Sequence, residues 1–168
     1  KGELSIRLDP SLAAGMTEGL RYLASYPYEC TEQIVSRFLP NVLTYRAMRE
    51  LGLSRPELEQ ELPGLVSEAL EKLYSRQNGD GGWGWWDEGE SRVHLTAYVV
   101  FGMTKARRAG FEVRETSIAR GLSYLRDHLV PAGELASYQE ANRQAFILYV
   151  MTEAGATGEA GDYSGDLY

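Results

Sequence analysis

The amino-acid sequence predicts an all-α fold made of repeated helical hairpins. After Asp9, apolar residues recur at helical spacing in successive segments, and these segments alternate between two sequence types. The pattern of the first type returns after about 50 residues, a period that is typical of stacked helical hairpins. Three such hairpins would form an arc, and an arc leaves an apolar edge that more chain, a partner or a second copy must cover.

One short β-strand is predicted ahead of the helices. Leu4, Ile6 and Leu8 alternate with polar residues, and a period of two is typical of a strand. We expect residues 1–9 to be a strand or linker from an adjoining domain, because nothing later in the chain is predicted to pair with it. Residues 10–155 are expected to form the helical domain, and residues 156–168 a flexible tail or the truncated start of another helix.

Several helices have start and stop signals. Asp9 and Pro10 have the N-cap and first-turn character that begins a helix. A second helix is predicted over about residues 30–51. Pro40 should kink or split this helix because proline lacks a backbone N–H, and Gly52 should end it. The other four helices are expected at about 65–76, 91–110, 116–129 and 138–154.

Short motifs distinguish the two helix types. Helices of the first type carry a small residue followed by leucine, which lets a neighbouring helix approach closely: Gly19-Leu20, Ala69-Leu70 and Gly121-Leu122. Helices of the second type carry an apolar and aromatic motif with a glycine stop further on: Leu43-Thr44-Tyr45, Leu95-Thr96-Ala97-Tyr98 and Ala145-Phe146-Ile147-Leu148-Tyr149.

The composition excludes several classes of protein. With 17 basic and 24 acidic residues the net charge is −7 and no basic stripe is present, so a nucleic-acid partner is not expected. The single cysteine cannot form an intrachain disulfide or a cysteine-rich zinc site, and neither a metal nor a cofactor is expected. No apolar run reaches the roughly 18–20 residues of a membrane span. The start, Lys1-Gly2-Glu3, indicates a piece of a longer protein, called the intact parent below.

The segment from Tyr26 to Gln33 is the first candidate for chemistry. Pro27 should stop the first helix and Cys30 should open the second, which places Gln33 three residues further on and on the same helical face. A cysteine sulfur that touches a glutamine carboxamide can displace ammonia and close an internal thioester. Tyr26 and Tyr28 are candidates for an apolar roof against water. The alternative is that Cys30 is an inert core residue.

A glycine- and tryptophan-rich turn is the second candidate. Its glycines permit unusual backbone angles and should bring Trp83, Trp85 and Trp86 together. The rings are expected either to fill space between hairpins or to wall a pocket around Cys30. Gln77, Gly81 and Trp83 also fit a pattern of terpene cyclases, but the sequence lacks an aspartate-rich acid motif for that chemistry.

Cys30-Thr31-Glu32-Gln33 resembles the Cys-x-Glu-Gln thioester signature of the α2-macroglobulin and complement family. The preceding Tyr26-Pro27-Tyr28 is similar to the Tyr-Pro-Tyr that members of the bacterial branch of that family often carry just ahead of the cysteine. Later landmarks of the same domain are matched in order by residues 77–86, 95–99 and 144–150. The resemblance therefore covers nearly the whole chain.

This resemblance implies an all-α toroid of six helical hairpins, of which the chain would hold about half. Cys30 and Gln33 would be the bonded pair, with support or shielding from Tyr26, Pro27, Tyr28, Glu32, Trp83, Trp85 and Trp86. The family implies a trap that reacts once and is not an enzyme. Its partners would be target proteases, attached through lysine amines, and other domains of the parent. The implied location is periplasmic, cell-envelope or secreted, with any membrane anchor outside this segment.

Two histidines complete the candidates. Some complement members use a histidine shortly after the glycine turn to pass the acyl group to hydroxyls, whereas this stretch holds Trp85-Trp86-Asp87-Glu88. His94 comes later, at the head of a helix, and is expected to be structural, so amines should be preferred over hydroxyls. His128 suits the C-terminal end of a helix. The alternatives are a cysteine acyl-transferase that uses Cys30 with His94, a cyclase relative, or a helical-repeat binding module without chemistry.

Overall fold

The computed structural model describes residues 29–53 and 56–156. These residues form five α-helices and a 3₁₀ turn, and no strand occurs among them: α1 (Thr31–Glu50), α2 (Pro56–Ser75), α3 (Val93–Arg108), α4 (Glu115–Asp127), the turn Ala132–Glu134 and α5 (Tyr138–Ala154). The predicted strand at residues 1–9, the first predicted helix and the segment from residue 157 onward lie outside the described residues.

The helices form two layers. Helices α1, α3 and α5 lie side by side in one row, while α2 packs against α1 and α4 packs against α3. The first row holds the helices of the second sequence type, and α2 and α4 are helices of the first type. The alternation in the sequence therefore corresponds to the two layers of a hairpin array.

A continuous apolar core lies between the layers. Its largest fully buried side chains come from every described helix and from the loop between α2 and α3, and they include Phe38, Leu73, Trp83, Met103, Leu125 and Ile147. Glycines mark the tightest approaches. A Cβ at Gly102 of α3 would lie 2.8 Å from the Val35 side chain of α1, so these two helices meet at a residue without a side chain.

Two prolines lie inside helices. The expectation that Pro40 would split its helix is wrong, because α1 runs unbroken through it. Pro40 has no backbone N–H to donate. The side chain of the next residue, Asn41, donates to the Arg37 carbonyl at 3.0 Å and adds a hydrogen bond in the same turn. Apolar residues on both sides of Pro40 are also buried, so packing stabilises the helix on either side of the proline.

Helix α2 begins earlier than the sequence indicated. It was expected to start at about residue 65, yet the helix runs from Pro56 and contains Pro63 and Gly64, two residues that favour a break. Leu62 and Val66, on either side of the break signal, are both buried in the core. Tertiary packing therefore overrides the local preference.

The last helix matches its prediction at both ends. The Ser137 side chain accepts from the Glu140 backbone amide at 3.2 Å and caps the start of α5. Gly155 adopts φ 96° immediately after Ala154, the left-handed conformation that commonly ends a helix. None of the described helices is both long and apolar enough to cross a membrane.

Candidate functional site at the head of helix α1

Cys30 is the N-cap residue of α1, as its position in the sequence predicted. Its backbone is extended, with φ −71° and ψ 160°, and the helix begins at Thr31. Cys30 and Gln33 form a capping box, in which the third helical residue folds back over the cap. The Cys30 backbone N–H donates to Gln33 Oε1 at 3.3 Å, and the Gln33 backbone amide faces the sulfur. The structure thus places the glutamine carboxamide directly beside the cysteine.

The cysteine is a largely covered free thiol. Its exposed fraction is 6%, and Thr31, the next residue, is fully buried. The Thr31 backbone N–H donates to the carbonyl oxygen of Trp85 at 3.0 Å. One of the amides that a helix start leaves without an intrahelical partner is therefore satisfied by the tryptophan-rich loop.

An ion-pair network holds the residue in front of Cys30. The Glu29 carboxylate accepts from Lys72 Nζ at 2.5 Å and lies 3.3 Å from Arg37. Lys72 also contacts Glu68 at 2.8 Å. The Lys72 hydrogen bond holds the pKa of Glu29 below its usual range, and the hydrogen bonds to Glu29 and Glu68 raise the pKa of Lys72. The network fastens Glu29 and Cys30, here called the Cys30 segment, to α2.

Arg76 connects this segment to the tryptophan-rich loop. It follows the last residue of α2, and its guanidinium donates to the Glu29 backbone carbonyl. The Nε atom of the same side chain lies 2.6 Å from the Asp87 carboxylate. Arg76 therefore contacts Glu29, just before Cys30, on one side and the loop residue Asp87 on the other.

The tryptophan-rich loop, here the Trp loop (residues 83–92), separates its rings into two environments. Trp83 is 0% exposed, and its indole N–H donates to the Leu73 carbonyl at 2.7 Å, so this ring fills space between helices. Trp85 and Trp86 are 42% and 60% exposed, and the Trp85 backbone carbonyl contacts Thr31. The structure brings Trp85 to the head of α1 and leaves Trp83 in the core.

Glu32 and His94 each contact a defined side chain. The Glu32 carboxylate accepts from the Ser36 hydroxyl at 2.9 Å, and that hydroxyl lies 3.2 Å from the Tyr98 hydroxyl. The exposed His94 imidazole packs against the Trp85 ring, with centroids 5.7 Å apart. A cysteine hydrolase would need its base about 2.6–3.2 Å from the sulfur.

The remaining candidates have structural surroundings. The Gln77 side chain donates to the carbonyls of Gly81 and Ser117 at 2.9 and 3.0 Å, which ties the glycine turn to α4. His128 caps α4, and its Nδ1 lies 2.8 Å from the Tyr124 carbonyl. Tyr26, Pro27 and Tyr28 lie outside the described residues. Residues 29–53 and 56–156 hold no cluster of three side chains able to bind a metal ion.

Sequence reasoning did not find Lys72 and Arg76. They lie one helical turn apart near the end of α2, so they share a face, which is a pattern the sequence does contain. The sequence gives no sign that this face meets Glu29, because the contacts join residues 43 and 47 positions apart.

A two-layer array of helical hairpins, with a Cys-x-x-Gln pair at the head of a first-row helix, defines an α/α toroid domain of the thioester type. The family model of the A-macroglobulin TED domain matches residues 5–150, and the chain belongs to this family.

Relatives and solved structures agree with this assignment. The chain is 39% identical over 123 residues to an α2-macroglobulin of Thermotoga maritima, and this alignment covers 73% of the chain and 8% of the relative. It is 30% identical over 133 residues to the α2-macroglobulin of Escherichia coli K12, and this alignment covers 76% of the chain and 8% of the relative. The chain thus spans less than a tenth of these relatives.

Two crystal structures share the fold. Native E. coli α2-macroglobulin, from domain MG7 to the C-terminus, aligns with a TM-score of 0.65 and 25% identity over 90% of this chain and 26% of that chain. Salmonella α2-macroglobulin reacted with methylamine aligns with a TM-score of 0.65 and 26% identity over 88% of this chain and 10% of that chain. The all-helical toroid expected from the sequence is confirmed.

Proposed function

We propose that Cys30 and Gln33 form an internal thioester in the intact parent, and that the parent is a bacterial protease trap that reacts once. The observation that carries this proposal is the capping box, in which the Gln33 carboxamide folds back onto Cys30. Membership of the A-macroglobulin family and the names of the bacterial relatives support it.

The geometry suits closure of the bond. The Cys30 sulfur attacks the carboxamide carbon of Gln33, the C–N bond breaks, and ammonia leaves with the thiol proton. Negative charge develops on Gln33 Oε1 during this step. That oxygen already accepts from the Cys30 N–H at 3.3 Å, at the positive end of the α1 dipole, so the donor and the dipole both stabilise the developing charge.

The closed bond stores an acyl group for a nucleophile. A lysine amine of a protease attacks the same carbon, an amide bond forms, and the C–S bond breaks as the amine proton passes to sulfur. The protease stays attached through residue 33, so the trap does not turn over and is not an enzyme. Amines are preferred to hydroxyls, because the stretch after the glycine turn, where some complement members have a histidine, holds Trp85-Trp86-Asp87-Glu88.

Shielding and location follow from the same proposal. We assign supporting or shielding roles to Tyr26, Pro27, Tyr28, Glu32, Trp85, Trp86 and, from the core, Trp83. The hydrogen bond from the Thr31 N–H to the Trp85 carbonyl, next to Cys30, supports this assignment. Other domains of the parent are its further partners. The parent works in the periplasm, at the cell envelope or after secretion.

Methylamine tests the proposal on the intact parent, since a Salmonella relative was crystallised after reaction with it. Untreated parent should have a mass lower than calculated by one ammonia. Methylamine should then free one thiol, at Cys30, and add one methylamide, at Gln33. The Cys30→Ala variant should show neither change. A free Cys30 thiol before treatment, with no label afterwards, would contradict the thioester.

A further inference from the structure

We propose that Arg76 is a positioning residue that holds the tip of the Trp loop against the Cys30 segment and so limits access to the Cys30 sulfur. This deepens the proposed function, on which it rests for the thioester, although the restriction on access applies equally to a free thiol.

The Arg76 side chain makes both contacts from a covered position. It is 13% exposed and donates to the Glu29 backbone carbonyl, one residue before Cys30. Its Nε lies 2.6 Å from Asp87, whose side chain is 72% exposed. A planar guanidinium can bind two partners at once in a fixed geometry, which a lysine ammonium does less well. Arg76 therefore fixes the distance between the loop and the cysteine.

The base of the Trp loop is held independently of Arg76. The Arg92 backbone N–H donates to the Trp83 carbonyl at 2.9 Å, and the Asn78 side chain donates to the Gly89 carbonyl at 2.8 Å. The Trp83 backbone N–H donates to the Thr96 hydroxyl at 2.9 Å. Loss of Arg76 contacts would leave this base in place.

The tip, residues 85–88, depends on the head of α1 and on Arg76. The Trp85 carbonyl accepts from Thr31, and Asp87 pairs with Arg76. Glu88 adopts φ 65°, which is disfavoured for a residue with a side chain. A disfavoured conformation persists only where contacts hold it, and the turn's own bond, from the Gly89 N–H to the Trp86 carbonyl at 3.2 Å, does not reach α1. The Asp87–Arg76 pair therefore helps to keep the tip beside Thr31, the residue that follows Cys30.

The Asp87→Asn variant of the intact parent tests this with little risk to the fold, because Asp87 is mostly exposed. We expect methylamine to release the Cys30 thiol about three- to tenfold faster than in the unmodified parent, and spontaneous thiol release to accelerate in parallel. Glu90→Gln is the matched control. Glu90 lies in the same loop but pairs with Arg92 at 3.4 Å, away from the Cys30 segment, so its rate should be unchanged.

A double-mutant cycle assigns the effect to the pair. Arg76→Lys should also accelerate thiol release, and adding Asp87→Asn to it should give less than the product of the two single effects. Independent, multiplying effects would show that Asp87 acts through something other than Arg76 and would overturn the proposal.

Failure of the thioester can be separated from failure of the positioning role. In a Gln33→Glu background no thioester forms, and residue 33 keeps an acceptor oxygen for the Cys30 N–H. Iodoacetamide should then alkylate Cys30 about three- to tenfold faster when Asp87→Asn is added. If unmodified parent releases no thiol, the proposed function fails and this alkylation rate decides the role of Arg76. Equal alkylation rates with and without Asp87→Asn would reject it.

Discussion

At the scale of single residues, a helix start supplies the geometry that a thioester needs. A capping box usually pairs a serine or threonine N-cap with a glutamate or glutamine three residues later. Here the cap is Cys30 and the third residue is Gln33. Sulfur is the nucleophile, and only a carboxamide, not a carboxylate, carries ammonia as a leaving group. Under the proposed function, a cysteine in place of the usual serine or threonine, combined with the glutamine form of the third residue, is enough to turn a cap into a reactive pair.

The Glu29–Lys72 ion pair gives a prediction about pH. Because the pKa of Glu29 is lowered in the folded chain, its contribution is complete above the ordinary range of a glutamate and is lost as the pH falls through the lowered value. The raised pKa of Lys72 means that the pair is lost on the other side only in alkali. Glu29→Gln should lower the melting temperature at about pH 7 but not at about pH 2–3.

The size of this effect is small, because the Glu29 side chain is 40% exposed to solvent. We expect less than about 1 kcal/mol at neutral pH. Melting curves across this range, with Glu90→Gln as a surface control, measure it. A melting temperature that Glu29→Gln lowers equally at both pH values would show that ionisation of this carboxylate is not the cause.

At the scale of elements, Gly121 sets the distance between α3 and α4. A Cβ at this position would lie 2.6 Å from the Val100 side chain and 3.0 Å from the Trp83 ring. Both neighbours are fully buried, and the Trp83 ring is also held by its hydrogen bond to Leu73, so neither can move freely. The small residue in the middle of α4 is therefore required by packing, in agreement with the close approach expected from the repeat.

Gly121→Ala should destabilise the chain despite the better helix propensity of alanine. Overpacking costs about 1–3 kcal/mol, and the helix gains only about 0.5–1 kcal/mol, so a net loss of roughly 1–2 kcal/mol is expected. Gly64→Ala is the matched control, since Gly64 lies in α2 with open space around its Cβ position and should gain stability. Urea unfolding measures both; a stabilised Gly121→Ala variant would refute the close approach.

The elements show where prediction from the sequence stops. Periodicity predicted five described helices and their two types, because an apolar face must be buried and its spacing is visible in the chain. It failed at Pro40 and Pro63, where burial of residues on both sides outweighs the local preference. Periodicity also could not predict that Trp83 is buried and Trp85 exposed, since a glycine-rich turn has no repeating pattern that shows which ring points inward.

At the scale of the whole molecule, the contact between Cys30 and Gln33 was predictable from the sequence and the groups around it were not. Cys30 and Gln33 are neighbours in sequence, and a helix start fixes their relation locally. Lys72, Arg76 and Trp85 reach the same place only through the packing of α2 and the Trp loop on α1. A contact between residues three positions apart can be predicted from the sequence, whereas the groups that surround Cys30 and Gln33 come together only through the tertiary fold.

The exposed faces of Trp85 and Trp86 lead to a prediction about the chain on its own. These rings belong to the loop tip that meets the head of α1 and are 42% and 60% exposed, while this chain aligns with only 8% of the length of each of two bacterial relatives. Water that reaches a thioester hydrolyses it, so a closed bond needs cover on this side as well. We expect a protein of these 168 residues alone to have a free Cys30 thiol and a mass that is not lowered by one ammonia, because a bond that never closes keeps Gln33 and a bond that is hydrolysed leaves a glutamate at that position.

Intact mass and thiol titration under denaturing conditions, performed on this chain and on the intact parent together, measure the difference. The parent should be lighter than calculated by one ammonia and contain no titratable Cys30 thiol, whereas the chain alone should show the opposite in both respects. The Gln33→Glu parent serves as control, because it should resemble the isolated chain. A closed bond that persists in the isolated chain would mean that residues 1–168 supply all the shielding, so that the open sides of Trp85 and Trp86 do not admit water to the bond.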